Sequence, residues 1–170
     1  MINQDILENQ ANCIYLGIGS NLGNRRNKIE QAKSELLLKN IRVVKSSNFY
    51  ESLSWPDKTK PKYLNIVLQV RTNLKPLKLL EICKEIEVRL GRKKRLKNSP
   101  RECDIDIIDY KSKKFNKSIV LPHPRMHLRN FVLLPLFELN KDWNHPVFYR
   151  HIKKLILLLS NKDIRSIKQI

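Results

Sequence analysis

Acidic side chains are in short supply in this chain of 170 residues. Sixteen Asp and Glu stand against 34 Lys and Arg, giving a formal net charge of +18. Cysteine is scarce as well. Cys13, Cys83 and Cys103 are odd in number and lack CxxC spacing, so they read as buried free thiols of a reducing cytosol, neither a disulfide frame nor a zinc site. No aliphatic run exceeds Leu155 to Leu159, far short of the roughly 20 residues that cross a bilayer, so no membrane partner is expected. Met1 to Asn12 has no basic stretch of the kind that opens a secretory leader, and reads as an extension ahead of one cytoplasmic domain over residues 13–170. Linkers, repeats and low-complexity tracts are missing too. What remains, 41% hydrophobic and 29% charged, is the composition of one globular domain with one core. The basic excess calls for an anionic partner, and composition by itself leans towards nucleic acid.

The patterning gives β-α-β-β-α-β followed by helices. Cys13 to Gly19 reads as a buried strand, and Ile29, Ala32, Leu36 and Leu37 form the stripe of a helix over 24–39. Ile41 to Tyr50 reads as a second strand. Tyr63 to Thr72 reads as a third, with Leu64, Ile66, Leu68 and Val70 on one face. Pro76 opens a second helix and Gly91 closes it. Cys103 to Tyr110 is a fourth strand, and Phe115 to Leu121 a short hairpin arm. Helices follow over about 126–139, with a kink or a break expected at Pro135, and about 149–159. This order predicts an α+β fold: a ferredoxin-like βαββαβ sandwich whose helices cover one face of an antiparallel sheet, with additional C-terminal helices.

The sharpest chemistry lies in Asp104-Ile105-Asp106. Residues i and i+2 of a strand share a face, about 6.6 Å apart along the chain. Two carboxylates there repel unless a cation sits beside them, and hard oxygen ligands suit Mg²⁺. A bare DxD is more often a solvated strand face. Here, however, a segment free of acid runs from Val88 to Arg101 and carries Arg92, Lys94 and Arg101 among its seven bases. Carboxylates beside such a loop suit a polyphosphate held jointly by metal and guanidinium groups. Glu87, one residue past Ile86 and near the basic loop, has two open readings, a simple ion pair or a hydrogen bond to a ligand hydroxyl.

Prolines on both sides of His123 hold its imidazole in a defined place, with Arg129 and Phe131 downstream. The long loop 51–62 supplies Ser52, Leu53 and Trp55, and the next strand supplies Tyr63 and Asn65 on one face. An amide matches the edge of a heterocycle while aromatic rings cover its faces; packing is the plainer reading of the rings. Gly17-Ile18-Gly19-Ser20-Asn21 lacks the third glycine of GxGxxG and the Gly-Lys-Ser/Thr of a P-loop, so it reads as a strand-to-helix turn.

Together these pieces resemble a known family. Ser99-Pro-Arg-Glu-Cys-Asp-Ile-Asp-Ile-Ile108 is similar to the signature of the 6-hydroxymethyl-7,8-dihydropterin pyrophosphokinases. The resemblance extends through Leu16-Gly-Ile-Gly-Ser-Asn-Leu-Gly23, Tyr50-Glu-Ser52, Tyr63-Leu-Asn65, Leu90-Gly-Arg92, Leu121-Pro-His-Pro124 and Arg129-Asn-Phe131, covering about residues 13 to 150. It implies transfer of pyrophosphate from ATP to a pterin hydroxymethyl group, releasing AMP, in folate biosynthesis. By the same resemblance Asp104 and Asp106 hold two Mg²⁺ ions. Arg92, Lys94, Arg101, His123 and Arg129 line the nucleotide, with Glu87 and the Ile107 backbone near its ribose and base. Arg92 and Arg101 join the two aspartates in catalysis. Trp55, Tyr63 and Phe131 sandwich the pterin, Asn65 reads its polar edge, and Ser52 and Leu53 assist through their backbones. No general base is obvious, and Asp104 is the expected proton acceptor. Leu53 stands where relatives often carry proline, and Asn98 and Ser99 stand where many carry an aromatic or glycine.

The rival on the same topology is an RNA-binding module, which wants aromatic residues and bases on its central strands. Two acids on a central strand argue against it. The partners expected are therefore two small molecules, ATP and the pterin, and no nucleic acid, bound by a monomer whose loops 51–62 and 92–101 close over them.

Overall fold

A computed structural model describes residues 12–93 and 99–170. The N-terminal extension, apart from Asn12, and the loop residues Lys94 and Asn98 lie outside these described residues. The chain forms an α+β fold on an antiparallel sheet. β1 (Ile14–Ser20) leads to α1 (Arg25–Leu38), then β2 (Arg42–Ser46), β3 (Tyr50–Ser52), β4 (Tyr63–Arg71), α2 (Pro76–Arg89) and β5 (Asp104–Tyr110). A two-residue hairpin, β6 (Phe115–Asn116) and β7 (Val120–Leu121), precedes a 3-10 turn at Met126–Leu128 and α3 (Asn130–Leu139). β8 (Asn144–His145), β9 (Arg150–His151), α4 (Ile152–Leu157), α5 (Asn161–Arg165) and β10 (Lys168–Gln169) complete it. Among the described residues no helix is long and apolar enough to cross a membrane.

β1 is central, pairing β4 on one side and β5 on the other, and the strands run β10-β3-β4-β1-β5 across the sheet. The expected second strand is split in two, and both pieces pair with β4. Ser47 marks the interruption. Its N–H donates to the Val67 carbonyl at 2.9 Å, and its Oγ accepts from Val67 N–H at 3.0 Å, so a side chain replaces one rung of the ladder.

Asn24 caps α1, its side chain accepting from Asn27 N–H at 3.1 Å. Ile29, Ala32 and Leu36 are buried, whereas Leu37, at the edge of the stripe, is 62% exposed. Pro76 stands in the first turn of α2, and Gly91 takes φ +107° just past its end, a conformation costly for any residue with a Cβ. Leu79, Ile82, Cys83 and Ile86 of α2 join the α1 stripe over Leu16, Ile18, Ile66 and Ile107, forming the main core.

The opposite sheet face is not left bare, as the sequence led us to expect. Met126, Leu133, Leu136, Trp143 and Ile152 pack a second cluster against Tyr15, Val67 and Ile108. The break before α3 falls at Arg129, which is extended (φ −118°, ψ 109°), and the helix continues through Pro135. The last helix expected over about 149–159 is confined to α4, and a further short helix, α5, follows beyond it. Helices and C-terminal segments thus cover the Tyr15 end of this face. The end carrying Gly17, Gly19, Asn65, Asp104 and Asp106 lines a cleft.

Candidate active site

Strand period 2 places Gly17 and Gly19 of β1 beside Tyr63 and Asn65 of β4 and Asp104 and Asp106 of β5, all on one face. The cleft above them has a cavity volume of about 180 Å³. Glycine is required in its base: a Cβ on Gly19 would stand 2.9 Å from Asn65 Oδ1 and 3.2 Å from the Tyr63 ring.

One end of the cleft is ionic. Asp104 Oδ1 accepts from Arg92 Nη1 at 3.0 Å and Arg101 Nη1 at 2.8 Å. Burial pushes this carboxyl up, but Arg101, Lys84 and Arg92 outweigh it and hold it below the usual carboxylate range. A carboxylate held so acidic is a poor proton acceptor, so the base role expected of Asp104 is not what this geometry favours. Asp106 Oδ2 lies 3.5 Å from Arg129 Nη1 and 3.8 Å from His123 Nε2. The His123 main-chain N–H donates to Ile108 O at 2.8 Å, and its Nδ1 accepts from Arg125 N–H at 3.2 Å. With Nδ1 accepting, the neutral ring carries its proton on Nε2, towards Asp106. Burial lowers the pKa of His123, in opposition to Asp106.

Glu87 is not on the surface. It is fully buried, and its carboxylate accepts from Arg92 Nη1, from Lys84 Nζ at 2.7 Å and from Ile105 N–H at 2.7 Å. Of the two readings the ion pair is the one seen, with Arg92 of the basic loop and with Lys84, but it lies in the interior and anchors Arg92 and the start of β5. The Ile107 side chain points into the main core, away from the cleft, so only its backbone remains for a ligand. Lys94 lies outside the described residues.

The other end is aromatic and amide-lined. Asn65 is buried, and its Nδ2 donates to Ser52 Oγ at 3.0 Å and Tyr50 O at 3.4 Å, which fixes the orientation of the amide. Tyr63 and Phe131 line the same space, as do Leu53 and the half-exposed Trp55. The Arg129 guanidinium lies 5.4 Å from the Trp55 ring centroid and 5.5 Å from that of Phe131. Arg129 therefore joins the ionic and aromatic ends. The structure brings together every sequence-selected candidate except the buried Glu87, the inward side chain of Ile107 and Lys94.

Sequence reasoning missed two contributors to the site, Arg125 and Asn21, and a third buried polar residue, Asp109, at the covered end of the same face. Arg125 stacks 5.2 Å over Trp55 and lines the cleft; the repeated basic spacing Arg125, Arg129 could have drawn attention to it. Asn21, read only as part of a turn, ties both cleft loops together. Its Oδ1 accepts from Arg101 N–H at 2.7 Å, and its Nδ2 donates to Pro61 O at 3.0 Å and Ser54 Oγ at 3.3 Å. Asp109 is completely buried and accepts from Trp143 Nε1 at 2.9 Å. A bulge causes this: Tyr15 pairs Asp109 while Leu16 pairs Ile107, so Ile108 is extra and Asp109 turns onto the cleft side of the sheet.

The donor set fits a hard divalent cation. Two carboxylates on one face supply only oxygen, and among the described residues no group of three or more metal-binding side chains is assembled. One or two carboxylates with the remaining shell left to water and phosphate is the usual protein share for Mg²⁺.

A cleft with paired carboxylates, convergent arginines and an amide-and-aromatic slot, on an antiparallel α+β frame, defines an enzyme that handles phosphates. The family model for 7,8-dihydro-6-hydroxymethylpterin-pyrophosphokinase (HPPK) matches residues 15–141. The chain belongs to this pyrophosphokinase family. It is 39% identical over 142 residues to the 2-amino-4-hydroxy-6-hydroxymethyldihydropteridine pyrophosphokinase of Aquifex aeolicus, covering 83% of this chain and 88% of that one. Identity is 37% over 166 residues with folic acid synthesis protein fol1 of Pneumocystis carinii, 97% of this chain but only 22% of that longer protein. The crystal structure of Plasmodium falciparum HPPK-DHPS superposes with a TM-score of 0.69 at 15% identity, over 94% of this chain and 44% of the other. That likeness concerns the fold alone.

Proposed function

We propose that this cleft transfers pyrophosphate from ATP to the hydroxymethyl group of 6-hydroxymethyl-7,8-dihydropterin, releasing AMP, as a step in folate biosynthesis. The observation that carries the reading is the junction of two chemistries in one cleft: Asp104 and Asp106 at one end, Asn65 among Trp55, Tyr63 and Phe131 at the other. Membership of the pyrophosphokinase family supports it, and the strand order supports a ferredoxin-like frame.

Asp104 and Asp106 would hold two Mg²⁺ ions, which when bound neutralise phosphate charge and polarise the reacting oxygens. Arg92 and Arg101 now lie against Asp104, and Arg129 and His123 near Asp106. All four are within a side chain's swing of a triphosphate that enters beside the carboxylates. Glu87 keeps Arg92 in place from below, and Lys94 and the Ile107 backbone complete the nucleotide side. Asn65, held by Ser52, reads the pterin edge, the rings cover its faces, and Leu53 assists through its backbone.

The pterin hydroxymethyl oxygen attacks the β-phosphorus in line and loses its proton to water. The bond from that phosphorus to the oxygen bridging the α-phosphorus breaks, and AMP leaves with that oxygen. Positioning and charge neutralisation dominate such transfers. The chain would act as a cytoplasmic monomer, with loops 51–62 and 92–101 closing over both substrates.

Product analysis tests the reading. With Mg-ATP and the dihydropterin, AMP and the pterin diphosphate should form in equal amounts. ADP as the nucleotide product would make the chain an ordinary kinase, and no turnover would exclude the activity.

A further inference from the structure

Residues 160–170 touch, at three separate places, residues that neighbour the lining of the pterin half of the cleft. Asn130, adjacent to both Arg129 and Phe131, is 9% exposed. Its Oδ1 accepts from Phe131 N–H at 2.7 Å, and its Nδ2 donates to the Asp163 carbonyl at 2.5 Å and Ser166 Oγ at 3.3 Å. One amide therefore links the backbone of a pterin-lining residue to α5 and the residue that follows it. Beyond α5, β10 pairs with β3, Lys168 opposite Glu51 and Gln169 opposite Tyr50, and Ile170 N–H donates to Phe49 O at 2.9 Å. β3 ends at Ser52, the residue that orients Asn65. Finally, Asp163 lies 3.9 Å from Lys58 in the loop that carries Trp55.

The way this segment is held matters as much as where it lies. α5 buries no residue, so its attachment is by polar contacts and a two-residue strand. Such an element has little apolar burial behind it and opens at low cost compared with the core. Removing it should leave the main core intact.

We propose that residues 160–170 form a strap that positions the pterin slot, with Asn130 as the positioning residue through which α5 sets Phe131. This deepens the proposed function and rests on it. The strap's direct contacts run to the Phe131 N–H through Asn130, to β3 and to Lys58, and none reaches Arg92, Arg101, Asp104 or Asp106, so its effect should fall chiefly on the pterin end.

The test uses Asn130→Ala and, as a second variant, the chain ending at Ser166, which loses β10 but keeps α5. Both should raise KM for the dihydropterin, about tenfold for Asn130→Ala, while KM for ATP stays within about twofold. Hydrogen exchange in the ligand-free proteins should be faster in segments covering Tyr50–Ser52 for the shortened chain and Phe131 for Asn130→Ala. Asn130→Asp, which keeps the acceptor for Phe131 N–H but loses both donors, should fall between wild type and Asn130→Ala. Wild-type pterin KM in both variants, or equal rises for ATP and pterin, overturns the strap. A wild-type chain that binds no dihydropterin in direct titration overturns the functional reading, and the strap's substrate with it.

Discussion

Asn21 and Arg101, 80 residues apart, are joined by two hydrogen bonds: Asn21 N–H donates to the Arg101 carbonyl at 3.1 Å, and Arg101 N–H donates to Asn21 Oδ1 at 2.7 Å. The Asn21 amide also holds the Trp55 loop through Pro61 O and Ser54 Oγ. One side chain thus sets the approach of the Arg101 loop and the Trp55 loop, which the proposed function assigns to nucleotide and pterin. Asn21→Ala should lower kcat/KM about 10- to 100-fold for both substrates, since buried partners lose their hydrogen bonds. Asn21→Asp keeps the acceptor for Arg101 but not the donors, so its defect should fall mainly on pterin KM. Steady-state kinetics with each substrate varied in turn checks both.

Gly19 allows the closest approach in the cleft. Gly19→Ala puts a methyl 2.9 Å from Asn65 Oδ1, which must move and take its bonds to Ser52 and Tyr50 with it. We expect about 1–3 kcal/mol of destabilisation and a weakened pterin affinity with ATP affinity retained. Denaturant unfolding and direct titration with each substrate measure the two effects.

Two buried groups near the second core should give opposed pH dependences. Burial pushes Asp109 up to about 6, against the hydrogen bond from Trp143. Its contribution to stability is fully present below pH 3.8 and is lost as pH rises through about 6, a swing of up to about 3 kcal/mol. Burial, with His127 nearby, lowers His145 to about 4. Its contribution is present above pH 6.5 and is lost as pH falls through about 4. Asp109→Asn should therefore steepen acid destabilisation between pH 6 and 4, and His145→Gln should flatten it. Melting temperatures across that range, in both variants, decide the signs.

The sequence carried the Asp104–Asp106 pair because strand period 2 needs no tertiary information. The amide and rings at Asn65, Tyr63 and Trp55 were legible for the same reason, as a strand face and its adjoining loop. Glu87 was not: its donors come from Lys84, Arg92 and Ile105, and only the packing of α2 over β5 brings them round it. Nor was Asp109, because a bulge at Ile108 changes the face of every residue after it. The covered half of the second sheet face was hidden by short C-terminal elements whose burial depends on partners far along the chain. Ser47, which splits the second strand, gave no sign, since serine in a strand does not announce that its hydroxyl will replace a rung.

The central claim is that Asp104 and Asp106 hold the metal that accompanies a polyphosphate. Arginines lie against both carboxylates, so a divalent cation on its own should bind weakly and a nucleotide that draws those arginines away should strengthen its binding. Mn²⁺ in place of Mg²⁺ makes this readable by electron paramagnetic resonance, with and without α,β-methylene-ATP, in the wild type and Asp106→Asn. The account predicts that nucleotide tightens Mn²⁺ binding at least about tenfold in the wild type, and that most of this gain is lost in Asp106→Asn. Equal Mn²⁺ affinity in the two proteins, with nucleotide present, would contradict it.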